Sequence, residues 1–446
     1  MHSPLTLEDG ARIAVVGGGP TGTFFSIFAL KMARMMGKEI TVTIFEPKDF
    51  TREGPAGCNR CGGLISEILI QTLALEGIVL PGSVVQKGID SFMLHTDHGS
   101  TLIQTPSHER TIATVYRGGG PRGKTGEEKE SFDQYLLDRA IHEGALHEPV
   151  KIDRIQYANK QPVLFSRNTE IMHADLVVGA FGLNSTTAEV FEDMEFGYTR
   201  PKTTTGAVAE FFFDHETIAT HFGHSIHSFL LPYKNIRLGA IIPKGNYVTA
   251  CILGTDIRKK TVDDFFSLPT VRNIMPDRGI YDPGCFCLPK LNVAAPRTAF
   301  DDRVVVCGDA GSTRLYKDGL GAAYYMGKAA ANTAILHGVH RQAFRDNFYT
   351  TYRNTVVDNF FGKYLFLVTD IYRRNKVLLK GMLSVIQNEQ GRAGGKKLMS
   401  SMIWDMFTGN KKFKEVVLSA FDCRLLLGLC KHCITNMTCG GNGEKR

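Results

Sequence analysis

An apolar run, Ile13-Ala14-Val15-Val16, passes directly into Gly17-Gly18-Gly19-Pro20-Thr21-Gly22 and then into a segment whose apolar residues recur at helical spacing. Few folds accept that order. Gly17 allows the tight turn, Gly19 lets a ligand approach the backbone, and Gly22 lets the helix pack back on the strand; together they form the start of a dinucleotide-binding βαβ unit. The helix opened by Pro20 and Thr21 offers free N–H groups and its dipole to a pyrophosphate. It carries Phe24, Phe25, Ile27, Phe28, Leu30 and Met32 and ends near Gly37. Residues 40–45 then read as a second buried strand, and Glu46 closes it where an acid bonds ribose hydroxyls.

The same glycine pattern recurs in Gly118-Gly119-Gly120-Pro121-Arg122-Gly123, but residues 124–130 after it are polar, without a helical apolar stripe or a second strand ending in an acid. This second copy is expected to be a flexible loop. The context, and not the glycines alone, marks the first copy as the site.

The chain has 446 residues, 43% of them hydrophobic, enough for a large core and two or three domains. No stretch reaches the ~18 apolar residues of a membrane span, and residues 1–10 lack the regions of a signal peptide. Ten cysteines, several closely spaced, suit thiols, metal ligands or redox groups better than a secreted disulfide framework. The expected location is cytoplasmic, or peripheral to the inner face of a membrane. Charge is uneven: from Arg341 onward there are 18 Lys and Arg against 8 Asp and Glu, leaving 34 against 37 upstream.

After Glu46, Pro55-Ala56-Gly57-Cys58-Asn59-Arg60-Cys61-Gly62-Gly63-Leu64-Ile65-Ser66 reads as a glycine- and cysteine-rich loop leading into an apolar helix over 67–75. Cys58 and Cys61 have redox or metal spacing, yet one CxxC is half a zinc site; thiols packed in a loop and thiols working at the cofactor or substrate both fit. Short apolar runs over 78–105 suggest strands of a separate sheet, residues 132–140 a helix, 150–174 a strand meander and 175–182 a further buried strand. Alternating segments between 203 and 288 predict an antiparallel substrate platform with few polar groups beyond Tyr233 and Tyr247. Val304-Val305-Val306-Cys307-Gly308-Asp309 is another strand ending in an acid, followed by Lys317, Gly319-Leu320-Gly321 and a helix over 322–336.

Gly17 to Gly22 with Glu46, Arg117 with the 132–140 helix, residues 175–182, and Gly308-Asp309 with Gly319-Leu320-Gly321 together resemble the FAD-dependent oxidoreductases of the p-hydroxybenzoate hydroxylase fold. Within that group, Cys61-Gly62-Gly63-Leu64-Ile65-Ser66 is most similar to the geranylgeranyl reductases, over about residues 10–345. The resemblance implies noncovalent FAD, with Glu46 at the adenosine ribose, Arg117 and Asp309 by the pyrophosphate or ribityl chain, and Cys61 near the substrate end of the flavin. The opening of the second helix at Gly319, Leu320 and Gly321 would then stabilise negative charge on the reduced ring, and Lys317 could assist.

Two departures stand out. Hydroxylases of this fold carry Gly-Ala-Asp-Gly where this chain has Gly179-Ala180-Phe181-Gly182, which argues against hydroxylase-like handling of NADPH. Geranylgeranyl reductases carry Tyr-x-Trp-x-Phe-Pro where Leu238-Gly239-Ala240-Ile241-Ile242-Pro243 keeps only the proline.

The tail mixes Phe348, Phe360, Phe361, Tyr364, Leu365, Phe366 and Leu367 with Arg373, Arg374, Lys376 and Lys380, then Lys396-Lys397 and Lys411-Lys412 around Met399, Met402, Trp404, Met406 and Phe407. Basic amphipathic helices of this kind bind anionic membrane surfaces or cap a domain with a solvated basic face. Nucleic acid is not expected, since no recognised binding module accompanies the charge. Cys423, Cys430, Cys433 and Cys439, with His432 beside them, are four soft ligands that could hold zinc or an iron-sulfur cluster; they follow no ferredoxin spacing, so free thiols are preferred and no metal is assigned.

The sequence therefore predicts an α/β fold: a Rossmann-type FAD-binding domain (10–75, 106–190 and 295–345), an inserted antiparallel β-sheet substrate domain (76–105 and 191–294) and a basic helical C-terminal region (346–446). The expected activity is flavin-dependent reduction of carbon–carbon double bonds in a hydrophobic or lipid-like substrate, with Cys61 and Lys317 as catalytic candidates. The electron donor would be NAD(P)H or a ferredoxin-like protein. A monooxygenase of the same fold and a membrane-docking electron carrier are the alternatives.

Overall fold

The computed structural model describes residues 5–106, 111–122, 130–276, 284–316, 318–392 and 396–439. Its central sheet has six strands in the spatial order Phe300–Asp301, Val304–Val306, Leu176–Gly179, Ala11–Val16, Ile40–Phe45 and Leu146–Glu148. Every pairing is parallel except the first. Parallel strands are covered on both faces and so read as unbroken apolar runs, which is why Val15, Val177, Val178 and Val304 to Val306 are all buried. The helix Pro20–Met35 and the helix Gly319–Leu336 cover one face. They approach so closely that a Cβ on Gly327 would lie 2.9 Å from the Thr21 carbonyl oxygen. The other face is closed by an antiparallel meander, Arg154–Ala158, Gln161–Ser166 and Thr169–His173, which supplies Ile155 and Leu164, and by Phe191 from the segment that follows the Leu176–Gly179 strand.

A second sheet has seven strands in the order Cys285–Cys287, Ala207–Phe212, Tyr247–Gly254, Ile236–Lys244, Ser225–Phe229, Ser91–Thr96 and Gly99–Gln104. The apolar runs near residue 90 supply its edge: Ser91–Thr96 pairs in parallel with Ser225–Phe229. Period-two alternation sends Ile241, Ala250 and Ile252 into a core with Phe229 and Phe265, while Ile242 and Cys251 face the other way. A small antiparallel sheet of Leu64–Ile65, Ile112–Val115 and Val85–Ile89 sits beside it.

His95 and His227 meet across these strands, Nε2 to Nδ1 at 3.0 Å, and Ser100 Oγ lies 2.8 Å from His95 Nδ1. Burial pushes His95 down to about 3, helped by His227, and His227 down to about 4. Both values fall below the unfolded value of ~6.5, so this contribution is complete above about pH 6.5 and is lost as the pH falls through about 4 towards about 3. Denaturant titrations over that window should show a steep loss of stability that His95→Gln with His227→Gln flattens. An unchanged slope in the double variant would rule the pair out as its source.

Among the described residues the tail forms five helices, Tyr349–Arg374, Lys376–Gln390, Leu398–Thr408, Phe413–Ala420 and Cys423–Cys439. Three of them cap the seven-stranded sheet: Trp404 is fully buried and stands edge-on to Phe92, with ring centroids 5.1 Å apart, among Leu379, Ile386 and Leu429. Arg373, counted in the sequence among the basic residues of the tail, is buried. Its guanidinium donates to the carbonyls of Leu231, Tyr233 and Ile236 and pairs with Asp370. Among the described residues no helix is long and apolar enough to cross a membrane, and no group of three or more His, Cys, Asp or Glu is arranged to hold a metal. Cys423 and Cys430 are exposed and Cys433 packs against Gly381; the side chain of Cys439 lies outside the described residues.

Candidate functional site

A cleft of about 870 Å³ opens at the carboxyl ends of the parallel strands, between them and the seven-stranded sheet. Open α/β sheets place their ligands there. Gly17, Gly19, Pro20, Thr21, Glu46, Cys61, Arg117, Asp309, Gly319 and Leu320, all singled out from sequence, line it. Gly22 and Gly321 stand behind it, and Lys317 lies outside the described residues.

The glycines of the first turn divide by role. A Cβ on Gly22 would fall 2.0 Å from the Gly17 carbonyl oxygen, and one on Gly17, at φ +112°, would fall 2.5 Å from the Ala180 oxygen. Gly19, by contrast, faces open space, with Asn59 Nδ2 at 3.8 Å as the nearest atom to its absent side chain. That open surface over a helix N-terminus fits a pyrophosphate. Glu46 accepts from the backbone N–H of Gly18 at 2.9 Å through one oxygen and from that of Lys48 at 2.9 Å through the other. Each oxygen keeps a lone pair for a ribose hydroxyl.

Arg117 is held by Asp133, Nε to Oδ1 at 2.5 Å, and Asp133 is fully buried at the start of the helix Phe132–His142. Burial opposes the arginine's charge, but Asp133 outweighs it and holds the guanidinium above its ordinary pKa. Asn59 donates to the other Asp133 oxygen, and Lys48 donates to Asn59 Oδ1 at 2.7 Å. This chain of polar contacts ties the Cys58–Cys61 loop to Arg117; Lys48, Asn59 and Asp133 were not singled out from sequence. Asp309 is driven up by burial, with Arg117 and Thr313 acting against the shift. Asn292 and Tyr198 fix its turn by donating to the carbonyls of Asp309, Ala310 and Gly311.

The helix Gly319–Leu336 opens differently from the sequence expectation. Asp318, at φ +50°, caps it by accepting from the Gly321 N–H at 3.0 Å, and a Cβ on Gly321 would lie 2.3 Å from that carboxylate. One of the N–H groups expected to face a reduced flavin is therefore taken by the chain's own acid. Gly321 serves the cap, while Gly319 and Leu320 reach the cleft.

At the far end, Cys58 Sγ accepts from the Arg60 N–H at 3.1 Å and Cys61 Sγ from the Gly63 N–H at 3.5 Å. Both are free thiols, and burial pushes Cys58 up. The two glycines that follow have separate causes. A Cβ on Gly62 would meet Cys251 Sγ at 2.8 Å, and one on Gly63, at φ +65°, the Val115 oxygen at 2.0 Å. The second copy of the glycine pattern props this loop from below: Gly118, Gly119 and Gly120 are buried, and Gly119 N–H donates to the Arg52 oxygen at 3.0 Å. Residues 118–121 are thus packed rather than a flexible loop, and Gly123 lies outside the described residues.

Behind the thiols is a pair that was not singled out from sequence. Lys244 is 1% exposed, with Nζ 3.8 Å from Glu210 Oε1 and 5.1 Å above the Tyr116 ring, and Glu210 Oε2 accepts from Thr249 at 2.8 Å. Burial raises the Glu210 pKa, and Lys244 pulls it back. With Cys58, Cys61, Tyr116 and Cys285 they enclose a void of about 20 Å³, room for one water molecule. A lone acid within the apolar run 207–213 was the available signal.

The substrate-side wall is apolar: Val208, Ile226, Leu238, Ala240, Ile242 and Leu253 from the large sheet, with Phe92 and Phe407. Tyr233 and Tyr247 are not among the lining residues; Tyr233 bonds Asp264 and Tyr247 is buried. The tail contributes Phe407 and Thr408, anchored by Arg314, which donates to the carbonyls of Gly409 and Lys411.

No protein-family model matches this chain, and no curated protein matches it in sequence. Its fold, however, is that of the FAD-dependent flavoproteins. A geranylgeranyl bacteriochlorophyll reductase-like protein from Thermoplasma acidophilum superposes with a TM-score of 0.65 at 15% identity, over 93% of this chain and 99% of that one. A flavoprotein/dehydrogenase from Cytophaga hutchinsonii gives 0.60 at 13% identity, over 96% of this chain and all of the other. A flavin-dependent halogenase gives 0.58 at 16% identity, over 96% of this chain and 78% of its own.

Proposed function

We propose that this chain is an FAD-dependent oxidoreductase that reduces carbon–carbon double bonds of a hydrophobic, prenylated or lipid-like substrate. The observation that carries the reading is that a dinucleotide-type turn, a largely apolar wall of the large sheet and the Cys61 thiol line one cleft. Gly17, Gly19, Pro20, Thr21 and Gly22 would seat the pyrophosphate and Glu46 the adenosine ribose, with Arg117 and Asp309 along the chain between pyrophosphate and ring. Bound and reduced, FAD would supply a hydride to one carbon of the double bond.

The residues of this chain do the rest. The apolar wall orients the alkene and keeps water from the reacting carbons. Cys61 gives its thiol proton to the second carbon, its Sγ then carrying the negative charge against the Gly63 N–H until a proton from water restores the thiol. Phe181 packs at 4.7 Å on Phe191, so the position that holds an acid in the hydroxylases is part of an apolar cluster. That favours reduction over hydroxylation.

The test is anaerobic. Dithionite-reduced, FAD-loaded protein mixed with a panel of prenylated lipids should add two hydrogens per double bond by mass. Cys61→Ser should bind flavin normally yet slow that step by about 10²-fold or more, the usual weight of a positioned acid. No mass gain on any lipid, with the flavin staying reduced until oxygen or a quinone is admitted, would replace this reading with the monooxygenase or the electron carrier.

A further inference from the structure

The helix Tyr349–Arg374 spends only part of its circumference on packing. Tyr352, Gly362 and Leu365 are buried, and Phe361 and Phe366 pack against the cluster around Phe413. Val356, Val357, Phe360, Tyr364, Leu367 and Ile371 point the other way and are 38–71% exposed. At 100° per residue these six fall within one stripe about 100° wide, roughly 22 Å long at 1.5 Å per residue. Single exposed apolar side chains need no explanation, but a continuous stripe of this size marks an interaction surface.

The unpaired, exposed charges of this helix are of one sign. Arg353, Lys363, Arg374 and Lys376 are exposed along or beside it. The helix has two acids, and neither faces outward as a free charge: Asp358 is buried and accepts from the N–H groups of Phe413 and Lys414, while Asp370 pairs with the buried Arg373. An apolar stripe whose free charges on the same helix are cations is the pattern of a helix lying in the boundary between headgroups and acyl chains of an anionic membrane. A second copy of this chain meets the stripe less well, since it would bring the same cations against each other.

We propose that Tyr349–Arg374 lies flat on an anionic lipid surface, Phe360 and Leu367 entering the acyl boundary and Lys363 and Arg374 meeting the headgroups. This is narrower than a basic tail binding membranes, because Lys376–Gln390, Leu398–Thr408 and Arg373 are occupied with the sheet. It holds whatever reaction the cleft performs.

The full chain should float with vesicles of equal parts phosphatidylcholine and phosphatidylglycerol and do so weakly with phosphatidylcholine alone. Phe360→Asp with Leu367→Asp, both at exposed positions, should keep the wild-type melting curve and lose at least about tenfold in vesicle binding. Lys363→Ala with Arg374→Ala should make the remaining binding less sensitive to salt. Undiminished vesicle binding by the aspartate variant would overturn the proposal. So would a wild-type chain that ignores vesicles, including one that forms a dimer which that variant abolishes.

Discussion

Gly22→Val is expected to give a folded protein that purifies without flavin. The added Cβ would sit 2.0 Å from the Gly17 carbonyl oxygen and 3.0 Å from Val15 Cγ1. The first contact is with backbone, so no rotamer relieves it, and the helix Pro20–Met35 must tilt from the Ala11–Val16 strand. Its free N–H groups then leave the place where a pyrophosphate would be held. A loss on the order of 100-fold in affinity, about 2.7 kcal/mol, is a modest demand for a displacement of that kind. It is read as flavin absorbance per mole of purified protein, with the fold checked by circular dichroism. Gly19→Ala is the companion: its Cβ meets only Asn59 Nδ2 at 3.8 Å, so the turn is undisturbed and any lost flavin reports on the pyrophosphate itself. Stoichiometric flavin in Gly22→Val would mean that the dinucleotide lies elsewhere.

Lys244→Met should be the most damaging single substitution away from that turn. It leaves Glu210 buried without its cation, a change that costs about 3–5 kcal/mol for a broken buried pair. For a protein of 446 residues that is a fall in melting temperature of roughly 3–5 °C. The pH dependence has a definite sign. Burial already raises Glu210, and removing Lys244 takes away an opposing influence. A carboxyl whose folded pKa is raised favours the folded state most below its unfolded value of about 4.3, and that advantage is lost as the pH rises through the folded value. Lys244→Met should therefore lose most stability at neutral and alkaline pH, and adding Glu210→Gln should restore much of it. Equal losses at every pH, or no rescue by the second change, would show that packing and not charge is responsible.

The strand, turn and helix of residues 11–35 were legible because everything that defines them is local: an apolar run, glycines at fixed spacing, a helical repeat. The run Cys61-Gly62-Gly63 stood out too, although not the structural cause of its glycines. Those glycines answer to Cys251 and Val115, far along the chain, and nothing nearby in sequence announces them. Lys244 was missed because Pro243-Lys244-Gly245 reads as an exposed hairpin tip, and only the register of the strands turns that lysine inward towards Glu210. The burial of Arg373 was illegible for a related reason: charge predicts solvent unless carbonyls are waiting, and its three come from a loop and strand more than a hundred residues earlier. Asp318 shows the same limit at the second helix, where a capping acid occupies a dipole that the glycines alone seemed to offer.

The walls of the cleft run from Val16 to Thr408, and its floor depends on Gly327 fitting against Thr21. A ribosome therefore finishes the glycine turn early, yet the pocket that would retain a ligand closes only after some four hundred residues have left the tunnel. Until Leu336 has emerged the Pro20–Met35 helix lacks the helix that covers it, and Phe24 and Phe28 are without Tyr324 to pack against. Chains that stall or are cut before the last helices would carry the motif but not the binding, so possession of the ligand becomes a certificate of complete synthesis.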